Sequence, residues 1–111
     1  MSQMINNVID NAIQILRDRG WCQGYYARDI AGKMCEALSD VACTFCAKGA
    51  IQRAIHEMPG INTHDDYRDL YFEVLDRLGG IDLVFINDYV GATKEDVITT
   101  LESYRIAETP L

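Results

Sequence analysis

The 111-residue sequence predicts an α+β domain, mainly α: four helices with one small β-hairpin between the first and second. Three observations carry this. Apolar residues recur at helical spacing over 4–16, 42–55 and 67–78. The stretch 20–50, which holds the only Trp and all four Cys, begins with aromatic strand formers and a turn signal. Two Thr-led segments, at Thr63 and Thr93, have the residue order of helix N-caps.

In the first helix, Met4, Ile5, Val8, Ile9, Ala12, Ile13 and Leu16 form a stripe of period 3.6, the spacing of one buried helix face. Asn6, Asn7, Asp10, Asn11, Gln14, Arg17 and Asp18 are assigned to the wet side. Arg17 and Arg19 suit the negative end of the helix dipole, and Gly20 is the expected stop. Gln23 to Arg28 and Lys33 to Cys35 then read as the hairpin. Asp29-Ile30-Ala31-Gly32 supplies Asp first and Gly last, as a type I turn prefers. Because a lone hairpin is marginal in water, it must lie against the helices.

Ser39 or Asp40 is expected to cap a second helix over about 41–57, ended by Pro59-Gly60. Its apolar positions are Ala42, Phe45, Cys46, Gly49, Ala50, Ala54 and Ile55. Gly inside a helix costs roughly 1 kcal/mol relative to Ala, so Gly49 predicts close approach of another backbone. The first helix, through Ile9 and Ile13, and Trp21 are the expected neighbours.

Thr63-His64-Asp65-Asp66 opens a third helix with Tyr67, Leu70, Tyr71, Val74, Leu75 and Leu78 inward and Gly79-Gly80 at its end. On the other side Asp66, Asp69, Glu73 and Asp76 fall within about 80° of arc, an acidic face. The run Ile81 to Tyr89 is continuously apolar before Asn87-Asp88, and period alone does not separate a strand from a connector. Thr93-Lys94-Glu95-Asp96 caps the last helix, with Val97, Ile98 and Leu101 inward. Thr109-Pro110-Leu111 is expected to fray.

The length fits a single domain, 1–111, large enough to bury a core. The net charge of −7 argues against direct nucleic-acid binding and against anionic lipid, and suits a basic partner. The sequence has no membrane-spanning run, and residues 1–12 lack the basic start and apolar core of a signal peptide. The expected location is the cytoplasm, where four Cys are most simply free thiols.

Several residue groups are candidates for chemistry, each with a plainer alternative. Cys43-x-x-Cys46 has the spacing of a zinc hook that Cys22, Cys35 and His56 would complete, but no second CxxC exists, and neither metal nor cofactor is expected. A thiol nucleophile would use Cys46 or Cys22 with His56 or His64 as base and Asp88 to orient it, so the catalytic set of an enzyme would be Cys46, His56 and Asp88. Cys43, placed in the first turn of the second helix, would be the redox candidate. Asp29 and Asp88 are a carboxylate pair, though turn chemistry accounts for both. Trp21, Gln23, Tyr25, Tyr26, Arg28, Asp29, Asn87 and Asp88 are the candidate binding residues. Tyr, Trp and Arg combine contact area with polar handles, and the eight form one patch if the hairpin and the Asn87-Asp88 corner adjoin.

The ordered set Trp21-x-Gln23-Gly24, Ala27-Arg28-Asp29, Gly32, Cys46-x-x-Gly49-Ala50, Asn87-Asp88 and Thr93-Lys94-x-x-Val97 resembles a domain-of-unknown-function family of small actinobacterial and bacteriophage proteins. The resemblance implies the order helix, hairpin, helix, helix, helix and a phage or mobile-element setting, and it supplies no catalytic residue. Cys22, Cys35 and Cys43 depart from the family's pattern. The leading expectation is a small soluble interaction protein, a phage-type accessory factor. It would bind and inhibit or modulate a host protein, a defence system being one such target. Its acidic face, Asp66, Asp69, Glu73 and Asp76, would meet a basic surface. A second copy of the chain is a further candidate partner. The alternatives are a small Cys/His/Asp enzyme or zinc-binding module, and a protein that sequesters a nucleotide ligand between Arg28 and the hairpin aromatics.

Overall fold

A computed structural model describes residues 2–105. In chain order it holds α1 (Ser2–Asp18), β1 (Ala27–Arg28), β2 (Met34–Cys35), β3 (Thr44–Phe45), α2 (Ala47–His56), α3 (His64–Leu78), α4 (Gly80–Asp88) and α5 (Lys94–Ser103). The class is α+β and mainly helical, as expected, but with five helices rather than four and a third strand beside the hairpin. The expected fraying of 109–111 lies outside the described residues.

α1 and α2 form the heart of the molecule. Ile5, Val8, Ile9, Ala12 and Leu16 of α1 are buried in one cluster with Ala47, Ala50, Ile51, Ala54 and Ile55 of α2. Small residues on α2 let the two helices approach closely, and the larger Ile and Leu side chains of α1 fill the space between. Leu70, Val74 and Leu78 of α3, Leu83 of α4, and Val97, Ile98 and Leu101 of α5 close the cluster.

Two residues of α1 depart from the expected faces. Asn6 is buried, because it stands seven residues before Ile13 and lies within about 20° of it around the helix. Met4 is exposed, since the same count places it above Asn11 on the wet side.

The hairpin forms where the sequence placed it. β1 and β2 pair antiparallel, Ala27 opposite Cys35 and Arg28 opposite Met34. In the turn the Gly32 N–H donates to the Asp29 carbonyl at 2.9 Å, and the Asp29 carboxylate accepts from the Ala31 and Lys33 amides, both at 2.9 Å. Asp29 is thus a turn residue whose side chain satisfies local backbone donors.

The start of α2 is corrected. Neither Ser39 nor Asp40 caps it, and Ala42 to Phe45 is not helical: Thr44–Phe45 is a strand, paired antiparallel to β1 in the order β2-β1-β3. The cap is Cys46, whose Sγ accepts from the Gly49 N–H at 3.3 Å. The stripe Ala42, Phe45, Cys46, Gly49 imitates a helix, but Phe45 points its fully buried ring into the core from an extended backbone. Cys43 therefore precedes β3 instead of occupying a helical first turn.

Gly49 does meet another backbone, but not that of α1. A Cβ there would stand 1.9 Å from the Tyr26 carbonyl oxygen, itself the acceptor of the Cys46 amide at 3.0 Å. Glycine at this position lets the β1 end of the hairpin rest directly on the first turn of α2.

The run Ile81 to Tyr89 is a correction as well: it is helical through Asp88, with Tyr89 as the extended C-cap, not a strand or connector. Gly79, at φ +63°, ends α3 in the left-handed conformation and starts α4 in the same residue. Thr63 caps α3 by accepting from the Asp66 amide. Thr93 and Asp96 form a reciprocal capping box on α5.

Candidate functional site

The hairpin and the Asn87-Asp88 corner adjoin, and a single buried side chain joins them. Asn87, 2% exposed at the end of α4, accepts from the Trp21 indole N–H at 2.7 Å and from the Ala47 amide at 2.9 Å. Its amide group donates to the Cys22 carbonyl at 3.1 Å and to Asp88 Oδ1 at 2.8 Å. Four bonds on one buried amide tie α4, the start of α2 and the loop after α1 into one corner.

The neighbours extend the same lattice. Gln23 donates to the carbonyls of Asn87 and Tyr89, at 3.0 and 3.2 Å, and the Gly24 amide donates to Asp88 Oδ1 at 3.1 Å. Arg28 spans the hairpin, its guanidinium donating to the Gln23 carbonyl at 2.9 Å and to the Gly32 carbonyl at 3.0 Å. Seven of the eight expected binding residues, Trp21, Gln23, Tyr25, Arg28, Asp29, Asn87 and Asp88, thus have side-chain polar atoms bonded within the chain, Tyr25 through its hydroxyl to Glu36 at 3.3 Å. Trp21 and Tyr26 also pack on the core.

The solvent face of the corner is a cleft of about 210 Å³ lined by Gly24, Tyr25, Tyr26, Cys46, Lys48, Val84 and Asp88. Tyr25 and Tyr26 stand edge to face, ring centres 5.6 Å apart. Lys48, Val84 and Asp88 continue into a second, shallower depression with Phe85 and Tyr89. Sequence reasoning singled out neither Lys48 nor the apolar residues of α4. The signal was the uninterrupted apolar stretch Leu83 to Ile86, which leaves a helix little wet side.

The catalytic set of the enzyme reading is not assembled. Cys46 caps the N-terminus of α2 and His56 is its last residue, about 15 Å away at 1.5 Å per residue. His64 is exposed at the start of α3. Burial pushes the Cys46 thiol up to about 11, against the opposing pull of the Gly49 and Lys48 amides, and burial raises Cys22 as well. Thiols so shifted are protonated at neutral pH. Among the described residues no group of three or more His, Cys, Asp or Glu is placed to hold a metal ion. All four cysteines are free thiols.

A larger groove lies on the far side of α3. It is about 1130 Å³ and open, with Met4, Ile61, Leu70, Phe72 and Leu75 among its apolar lining and Asp66, Asp69, Glu73 and Asp76 along it. All four carboxylates are exposed. Arg68, itself half exposed, reaches Asp69 at 3.4 Å and Asp65 at 3.5 Å. Met4 and Phe72, 42% and 59% exposed, give the acidic face an apolar component that charge counting did not show.

Residues 1–104 match a family of unknown function, DUF6197, and the chain belongs to that family. No curated protein and no solved structure matches it. No helix among the described residues is long and apolar enough to cross a membrane.

Proposed function

We propose that this chain is an interaction protein whose acidic groove receives a basic, amphipathic segment of a partner protein. The observation that supports it is the pairing of features in one groove: exposed Met4 and Phe72 beside Asp66, Asp69, Glu73 and Asp76. Apolar anchors provide contact energy, and a line of carboxylates steers a cationic partner and sets its register. A helix with apolar residues at i, i+3, i+4 and Lys or Arg between them carries the complementary pattern. Arg68 neutralises only one edge of the line.

The biological form we propose is a cytoplasmic accessory factor of an actinobacterial phage or mobile element that binds and modulates a host protein. Inhibition of a defence system is one case. A nucleic-acid-binding host protein supplies the basic surface required, and the ordered motif set from Trp21 to Val97 supports the phage setting.

The test uses a labelled Leu/Lys amphipathic helix of about 18 residues as the probe. Asp69→Lys with Glu73→Lys should weaken its binding about tenfold at low salt and flatten the salt dependence, because exposed charges are screened. Phe72→Ser should weaken binding without flattening that dependence. Binding indifferent to all three substitutions would remove the groove from the proposal.

A further inference from the structure

We propose that the exposed face of α4 is an interface between two copies of this chain, paired about a two-fold axis. α4 is a short helix that is apolar nearly all round, and such a helix is normally covered on every side. Among its described side chains one side is covered and the other is open. Leu83 and Asn87 point inward, 1% and 2% exposed, whereas Phe85 on the opposite side is 71% exposed and Val84 on the flank between is 39% exposed. Tyr89 and Val90 prolong the open strip, Val90 being 99% exposed. Tyr89 is held in place by its hydroxyl, which donates to Asp96 at 3.0 Å.

The charges at the strip select its occupant. The net charge of the molecule is −7. The depression around Val84 and Phe85 instead carries one cation, Lys48, and one anion, Asp88. A surface with one charge of each sign beside an apolar centre is complementary to itself. A two-fold axis through Val84 and Phe85 sets Lys48 of each copy against Asp88 of the other and buries both apolar centres together. Asp88 is fixed for this by the Gly24 amide and Asn87, both bonded to its Oδ1. A strongly basic partner would instead meet Lys48 in the depression itself, whose lining holds Asp88 as its one carboxylate, the exposed Asp82 standing one turn before Phe85. The acidic groove on α3 is built from other residues and stays outside the interface.

Sedimentation equilibrium over about 1 µM to about 1 mM tests this. The expected result is a reversible monomer–dimer equilibrium, with the mass rising from 12.5 kDa toward twice that value. Phe85→Asp, at an exposed position, should give a monomer throughout, with unchanged circular dichroism. Lys48→Glu should weaken dimerisation about tenfold, since a two-fold interface loses each pair twice and gains two repulsions. A wild-type chain that is monomeric across the range would overturn the proposal. So would a dimer that survives Phe85→Asp, which would place the contact on another face.

Discussion

Asn87, through its amide, and Gly49, through its lack of a Cβ, each hold two elements together. Removing the Asn87 amide as Asn87→Ala leaves the Trp21 indole N–H and the Ala47 amide without their acceptor inside the corner. Each buried unsatisfied group costs about 1–3 kcal/mol, so the variant should be destabilised by about 3 kcal/mol in urea unfolding. A loss below 1 kcal/mol would mean that water replaces the amide. Gly49→Ala opposes two effects of different size. Helix propensity favours Ala by about 1 kcal/mol. Its Cβ, however, would overlap the Tyr26 carbonyl oxygen, a backbone atom fixed by the Cys46 amide. Steric cost should win, lowering stability by about 2 kcal/mol net, while Lys48→Ala one residue earlier stays within about 1 kcal/mol. The cysteines give a third outcome at this scale. With the Cys46 thiol pushed up to about 11, only about one molecule in a thousand holds a thiolate there at pH 8. Alkylation followed by peptide mass mapping should therefore find Cys46 modified slowly even though, like Cys35 and Cys43, it is part-exposed.

Between elements, the C-terminal ends of α1 and α2 are clamped by one carboxylate. Glu57 accepts two bonds from Arg19, both at 2.7 Å, and a third from Arg53 at 2.7 Å. Arg53 also donates to the carbonyls of Ala37 and Ser39, so the clamp reaches the loop before β3. The Arg19 guanidinium, with Arg53 behind it, lowers Glu57 from 4.5 to about 2. A carboxyl with a depressed folded pKa contributes stability that is complete above its unfolded value. That contribution is lost as pH falls from about 5 toward 2. Glu57 is about one-third exposed, so solvent screens the pair and the contribution is about 1 kcal/mol rather than the full shift. Glu57→Gln should lower the melting temperature at pH 7 by about 4 °C and should cost almost nothing at pH 2. Equal loss at both pH values would show that packing, not charge, is at work. At this scale the sequence was legible where a local rule sufficed. The α1 stripe, the Asp29–Gly32 turn and the Thr63 and Thr93 caps all follow from spacing. α2 started late because a two-residue strand is too short for alternation to show, and its residues completed a helical stripe by accident. α4 escaped because a run apolar on all sides has no period. The corner was half legible: Trp21, Gln23 and Asn87 stood out by type. That Asn87 works from inside depends on a bond across 66 residues of chain, which no local pattern reveals.

Across the whole molecule, net charge and ion pairs act in opposite directions, and salt separates them. The attractive pairs, Arg19–Glu57 at 2.7 Å, Arg105–Asp10 at 2.9 Å and Arg17–Glu102 at 3.5 Å, are far shorter than the screening length of about 10 Å at 0.1 M salt. Salt therefore takes little from them. The surplus of seven negative charges repels over longer distances, most of them beyond that length, and salt removes much of this repulsion. Added salt should therefore stabilise the fold, raising the melting temperature by about 2–4 °C between roughly 20 mM and 200 mM sodium chloride. The variant Asp69→Lys with Glu73→Lys tests the cause. Each replacement changes the charge by two, so −7 + 4 = −3. Self-repulsion scales with the square of the charge and falls to about a fifth, and the salt gain should shrink in proportion. Both positions are exposed, so the fold itself should survive. A wild-type melting temperature that falls with salt would reverse the order of the two effects. The short pairs at Glu57, Asp10 and Glu102 would then outweigh the acidic surface in holding the helices together.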